Sequence, residues 1–237
     1  MNGIRGDQRV QEQVLEGLAM AVNHRRWFVE LALPYLGDDA IEIGSGLGDY
    51  ADEWSRRLGR FTATEADPER LVALTERFAG RPGVTVRQLV LPSPERGHHS
   101  AAVSYNVLEH IEDHVHAVRS IASLVRPGGA VVLIVPAFQF AMSGADVATG
   151  HVRRYTKASL AAVLREAGLA VEQVRYVNAL GLIGYVGATK VLGLMPKEGP
   201  MVRCYDRYVL PVTRALERLA PLPFGQSVFA LARTPVR

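Results

Sequence analysis

The chain has 237 residues, 48% of them hydrophobic and 22% charged, a globular composition that excludes disorder along most of its length. The formal net charge is +3 and no basic stripe interleaves with aromatics, so no nucleic-acid partner is expected. A single cysteine, Cys204, excludes an intramolecular disulfide framework and a cysteine-rich zinc site.

Charges between Met1 and Val10 leave no apolar stretch for a secretory signal. The longest uncharged run, Pro127–Ala145, is broken by prolines and glycines, so no membrane span is expected and a cytoplasmic location is the default. Asp7 is placed to cap a first helix with Val10, Val14, Leu18 and Val22 on one face. A second helix, about Arg25 to Tyr35, closes at Leu36-Gly37. From there short apolar runs alternate with amphipathic helices. Ala40–Ile43 reads as a buried strand, and Tyr50, Trp54 and Leu58 share one face of the next helix. Phe61–Glu65 is a strand, and Pro68 opens a helix through Phe78, as proline in the first turn does. Val84–Leu89 and Ser100–Tyr105 are strands, Val115–Val125 a helix, Pro127-Gly128-Gly129 a turn and Ala130–Val135 a strand.

A loop then runs to about Tyr155, followed by a helix from Lys157 to Ala167 and a strand from Ala170 to Val177. Asn178–Pro223 is a glycine- and tyrosine-rich insertion before the last strand, Ser227–Arg233. Strands alternating with helices of this length imply a parallel α/β sheet with helices on both faces. The expected organisation is an N-terminal helical cap (1–36) on one domain (37–237) that carries a substrate-side insertion at about 178–223.

The first strand runs into Glu42-Ile43-Gly44-Ser45-Gly46-Leu47-Gly48, a turn where a ligand can lie against bare backbone. A dinucleotide fingerprint would place glycine where Asp49 stands. The spacing suits a ligand without pyrophosphate, and Glu42 can face the ammonium of an amino-acid moiety. Glu65, 17 residues after Gly48, ends the second strand, where a carboxylate can accept both hydroxyls of a ribose. The fourth strand leads into Asn106-Val107-Leu108-Glu109-His110-Ile111.

With Arg126-Pro127-Gly128-Gly129, these motifs over about Leu36–Val135 closely resemble class I S-adenosylmethionine-dependent methyltransferases. Gly150-His151-Val152-Arg153-Arg154-Tyr155-Thr156 and Leu222-Pro223-Phe224-Gly225-Gln226-Ser227 look, more loosely, like the members acting on small metabolites or on glycan and lipid-linked substrates. The resemblance implies a Rossmann-like, seven-stranded sheet, mostly parallel with the last strand antiparallel. It implies S-adenosylmethionine as cofactor, S-adenosylhomocysteine as product, and a small-molecule acceptor, a secondary metabolite in the first instance. Gly44, Ser45, Gly46 and Gly48 would pass under the methionine portion, Glu65 and Ala66 would hold the ribose, and Asn106 and Val107 would lie near the transferable methyl. The family's adenine-binding aspartate is replaced, since the chain reads Gln88-Leu89-Val90-Leu91. Adenine then rests on backbone and apolar contacts such as Leu91.

If the acceptor must lose a proton, histidine has the suitable pKa range. His151, after the fifth strand, is the first candidate and His110 the second. Trp27, Tyr155 and Asn178 are the candidate acceptor-binding residues. No metal site is expected, because His110-Ile111-Glu112-Asp113-His114 lacks the glutamate of the zinc-protease pattern. Carbon, nitrogen and oxygen acceptors stay open, as does a homodimer. A nicotinamide oxidoreductase and an inert cofactor-binding protein are the competing readings. Asp49 and the Asn106–Ile111 segment argue against the first, and the intact glycine loop against the second.

Overall fold

The computed structural model describes residues 21–191 and 200–236. The expected helix over Val10–Leu18 lies outside the described residues. Strand β1 (Asp39–Ile43) is hydrogen-bonded on both sides, to β2 (Arg60–Glu65) and to β4 (His99–Tyr105), and all three run parallel. Such a central strand has both faces covered, which is why Ala40 to Ile43 are all buried. With β3 (Val84–Gln88), β5 (Val125–Pro136), β6 (Ala170–Val177) and β7 (Ser227–Arg233), the sheet has the order β3-β2-β1-β4-β5-β7-β6. The last strand, β7, lies antiparallel to both β5 and β6. This is the expected seven-stranded, mostly parallel sheet.

Two apolar clusters cover its two faces. On one, helices α1 (Val22–Leu36), α2 (Asp49–Ser55) and α3 (Pro68–Phe78) bring Phe28, Trp54, Leu74 and Phe78 against Ala63, Val103 and Val132. On the other, α4 (His114–Ser123) and, after the short α5 (Gly144–Ala148), α6 (Lys157–Glu166) pack Ile121, Leu160 and Leu164 against Ile41, Ile43 and Leu133. The period of two sorts the strands between these layers. Ile41 and Ile43 face α4 and α6, so Glu42 emerges on the α1–α3 side. Asp67 caps α3 by accepting from the Arg70 amide at 2.9 Å, with Pro68 in the first turn.

Two details differ from the sequence reading. Pro127-Gly128-Gly129 is not a separate turn but a bulge inside β5. His99 pairs with Val125, the next pair is Ala101 with Ala130, and the residues between them loop out. The 178–223 insertion is helical where described: α7 (Ala179–Val186), α8 (Pro200–Cys204) and α9 (Leu210–Leu219), with π-helical turns at Gly187–Val191 and Tyr205–Val209. None of the described helices is long and apolar enough to cross a membrane.

Candidate functional site

The chain leaves β1 toward β2 and β3 on one side, then returns to place β4 on the other. The carboxyl ends of β1 and β4 therefore flank the switch in strand order, where open α/β sheets bind ligands. After β1, Gly44, Gly46 and Gly48 all adopt positive φ. Gly44 is required twice over, because φ is +73° and an added Cβ would meet Val107 Cγ2 at 2.5 Å. Gly48, with φ +86°, lies against Phe78 and Leu74, so the turn is seated on α3.

Glu65 is the tie across this turn. Its Oε2 accepts from the Gly46 amide at 2.8 Å, and its Oε1 accepts from the amides of Ala66 and Asp67 at 2.9 and 3.0 Å. The Ser45 amide donates to the Thr64 carbonyl at 2.7 Å, and Ser45 Oγ accepts from the Thr64 amide. Glu42 is buried at the base of the turn. Burial pushes its carboxyl up to about 8, against the pull of the Ser45 hydroxyl, with Glu65 and Asp49 adding repulsion. Its Oε2 has no hydrogen-bond partner among the described residues. An orphaned acid beside a bare backbone turn fits a ligand that brings an ammonium group.

The rim is built by α1 and β4. Phe28 meets His24 at 3.9 Å between ring centroids and Tyr105 edge-on at 6.1 Å, and the Tyr105 hydroxyl donates to the Phe28 carbonyl. Asn106, exposed and at φ +53°, turns the chain out of β4 toward Val107. At the end of β3, the Gln88 amide group donates to the Ala66 carbonyl at 3.1 Å. Val90 is half exposed, and Leu91 packs partly buried on the core.

Beyond Asn106, the structure brings His110 and His151 together, with rings at 4.6 Å and perpendicular. His151 Nδ1 lies 2.9 Å from Asp146 Oδ1, and Nε2 lies 3.8 Å from Glu109 Oε1. Asp146 also holds Arg154 through Nη2 at 2.7 Å and accepts from the Tyr185 hydroxyl at 2.8 Å. Burial would raise the Asp146 carboxyl, but the bond from His151, the Arg154 charge and the Tyr185 hydroxyl together hold it well below the usual carboxylate range. Asp146 thus favours its ionised form and holds His151 by Nδ1, with Nε2 turned toward Glu109. Glu109 is fully buried, and burial pushes its carboxyl up to about 7. His110 is pushed down to about 4 by burial and by His151.

The three expected acceptor residues sit in packed positions. Tyr155 is 1% exposed in the core, its hydroxyl 2.9 Å from His114 Nδ1 and donating to the Leu108 carbonyl. Asn178 is a buried left-handed residue at the start of α7, with both side-chain polar groups engaged by Gln226 and Tyr205. Trp27 is buried edge-on to Phe28 and lines a groove of about 500 Å³ with Leu31, Tyr35, Arg175 and Leu222. Side-chain packing, absent from spacing patterns, decides all three. Conversely, Asp146 was not expected in the site, nor any role for Glu109, while Tyr185 belongs to the 178–223 insertion expected on the substrate side. Asp146 carried a signal, the Ser143-x-x-Asp146 capping box of α5. Arg153 donates to the carbonyls of Ile111 and Glu112, so both arginines after His151 pin this loop.

Residues 23–174 match a family described as a methyltransferase domain. A ubiquinone biosynthesis O-methyltransferase of Xanthomonas axonopodis pv. citri is 31% identical over 165 residues, covering 62% of this chain and 69% of that protein. A complex between the Haloferax volcanii Trm112 methyltransferase activator and a methyltransferase superposes with a TM-score of 0.65 at 13% identity, over 98% of this chain and 100% of the matched one. An S-adenosylmethionine-dependent methyltransferase from Mesorhizobium loti gives 0.58 at 17% identity, over 86% and 95%. At those identities the superpositions speak for the fold, and the domain match speaks for the family. The chain belongs to the methyltransferase-domain family and is a class I enzyme that uses S-adenosylmethionine.

Proposed function

We propose that the protein methylates an oxygen of a small hydroxylated acceptor, docked beside His110 and His151 at the carboxyl ends of β4 and β5. The observation that carries this reading is the Asp146–His151 pair, in which Asp146 holds Nδ1 at 2.9 Å and Nε2 is turned into the cluster. A hydroxyl is activated by removal of its proton, whereas a neutral amine attacks with its own lone pair, so polar groups held in this way suit an oxygen acceptor. The 31% identical relative, named as an O-methyltransferase, supports the same choice.

S-adenosylmethionine, when bound, supplies a methyl group on a positively charged sulfur. Glu42 would face its ammonium, Gly44 to Gly48 would run beneath the methionine portion, and Glu65 with Ala66 would take the ribose. Asn106 and Val107 would border the methyl, and Leu91 would meet the adenine. The acceptor hydroxyl would take that methyl as its own proton leaves on the His151 side, the sulfur keeping the electrons of the broken bond. Positioning and exclusion of water do the rest. The described part of the 178–223 segment would form the acceptor-side wall, supported by Tyr185 of α7 reaching Asp146, and residues 21–36 would belong to the cap. Incubation with methyl-labelled S-adenosylmethionine and matched phenol, alcohol and amine acceptors tests the proposal by mass spectrometry. Label on oxygen is expected. Transfer confined to nitrogen or carbon overturns the oxygen assignment.

A further inference from the structure

Glu109, His110 and His151 each offer one ligand atom, and these atoms lie within 4.8 Å of one another. Two independent features distinguish this trio from a chance meeting of polar side chains. First, Glu109 is 0% exposed, yet neither carboxylate oxygen has a hydrogen-bond partner among the described residues. A buried carboxylate left empty on both oxygens is unfavourable unless something else occupies them. Second, the far nitrogen of His151 is already held, with Nδ1 2.9 Å from Asp146 Oδ1. Metal-bound imidazoles are oriented in this way, by a carboxylate or backbone carbonyl on the far nitrogen.

We propose that Glu109, His110 and His151 bind a divalent transition-metal ion, zinc being the best match, with a position open to the acceptor's oxygen. The inference rests on the reading of this lobe as the acceptor side, and it revises the expectation of no metal. Two nitrogens, one carboxylate oxygen and an open position form the donor set of catalytic zinc. Ligand bonds of about 2.0–2.2 Å bring donor atoms to roughly 3.4 Å from each other, so small side-chain rotations close the cluster. The His151 side chain is 16% exposed, which leaves the ion approachable from the acceptor side. Arg154 and Arg70 also bear on the cluster electrostatically. The Arg154 charge is matched by Asp146, and ionised Glu109 supplies the negative charge the ion needs. With His151 engaged as ligand, activating the acceptor hydroxyl falls to the ion, which lowers the pKa of a bound oxygen as it does that of water.

Untagged, chelator-stripped protein is titrated with Zn2+ by calorimetry and with Co2+ by visible absorption, and S-adenosylhomocysteine binding is measured separately. One ion per chain is expected, with Co2+ bands of a low-symmetry nitrogen–oxygen site. His110→Ala and His151→Ala should each abolish the bands, and Asp146→Asn should weaken the ion by roughly ten- to hundredfold. Glu109→Gln tests the carboxylate, and circular dichroism of each variant confirms folding. No ion bound by wild-type protein, or bands unchanged in both histidine variants, overturns the proposal. In that case intact S-adenosylhomocysteine binding leaves the methyltransferase reading standing. Metal binding with transfer only to nitrogen or carbon would sink the oxygen assignment instead.

Discussion

The amide of Gly46 donates to Oε2 of Glu65 at 2.8 Å, so one carboxylate at the end of β2 clamps the turn after β1. The same group takes two further amides, from Ala66 and Asp67. The residue proposed to hold the ribose thus also shapes the loop proposed to carry the cofactor. Glu65→Ala should weaken S-adenosylhomocysteine about a hundredfold, as loss of charged hydrogen bonds worth about 3 kcal/mol implies, while the sheet stays folded. Calorimetric titration beside circular dichroism checks both halves. Unchanged affinity would remove the ribose assignment.

Gly44→Ala should impair the turn on two counts, its φ of +73° and the 2.5 Å approach to Val107 Cγ2. Pairing it with Val107→Ala should recover the steric part and leave the backbone part. A thermal-shift series with S-adenosylhomocysteine reads the difference. Equal loss in the single and double variants would show that the contact with Val107 plays no part.

Burial raises Glu42 from an ordinary 4.5 to about 8. Folded protein therefore binds a proton that unfolded chain has released, so this group makes stability fall as pH rises from about 4.5 to about 8 and level off above. Cofactor binding should show the opposite slope. A ligand ammonium favours ionised Glu42, so affinity should rise between about pH 6 and 8. Glu42→Gln should flatten both profiles, measured by urea unfolding and by titration across that range.

Trp54 is fully buried and its indole N–H donates to the Val29 carbonyl at 3.2 Å, which joins α2 to α1 behind the glycine turn. Trp54→Ala should cost about 3–5 kcal/mol, measured by urea unfolding, since both volume and a hydrogen bond are lost. A loss under about 1 kcal/mol would mean that α1 repacks over the gap.

Local chemistry was legible wherever a residue's role depends on its neighbours in sequence. Pro68 and Asp67 announced α3, the glycines of 44–48 announced a turn, and period-two and apolar runs placed all seven strands. The 127–129 turn was misread because a bulge and a turn use the same residues, and only the pairing of β4 with β5 separates them.

Periodicity and backbone conformation are properties of short segments, so the sheet, its helices, the glycine turn and the acidic residues near the ends of β1 and β2 could be read along the chain. The docking of separate elements sets which side chains meet in the proposed acceptor lobe. Glu109, Asp146, His151 and Tyr185 span 77 positions in sequence yet meet in one hydrogen-bonded lobe. The same packing sent Trp27, Tyr155 and Asn178 into buried contacts of their own. Which polar groups meet, and which stay orphaned, is set by how separate elements dock, and no spacing along the chain encodes that.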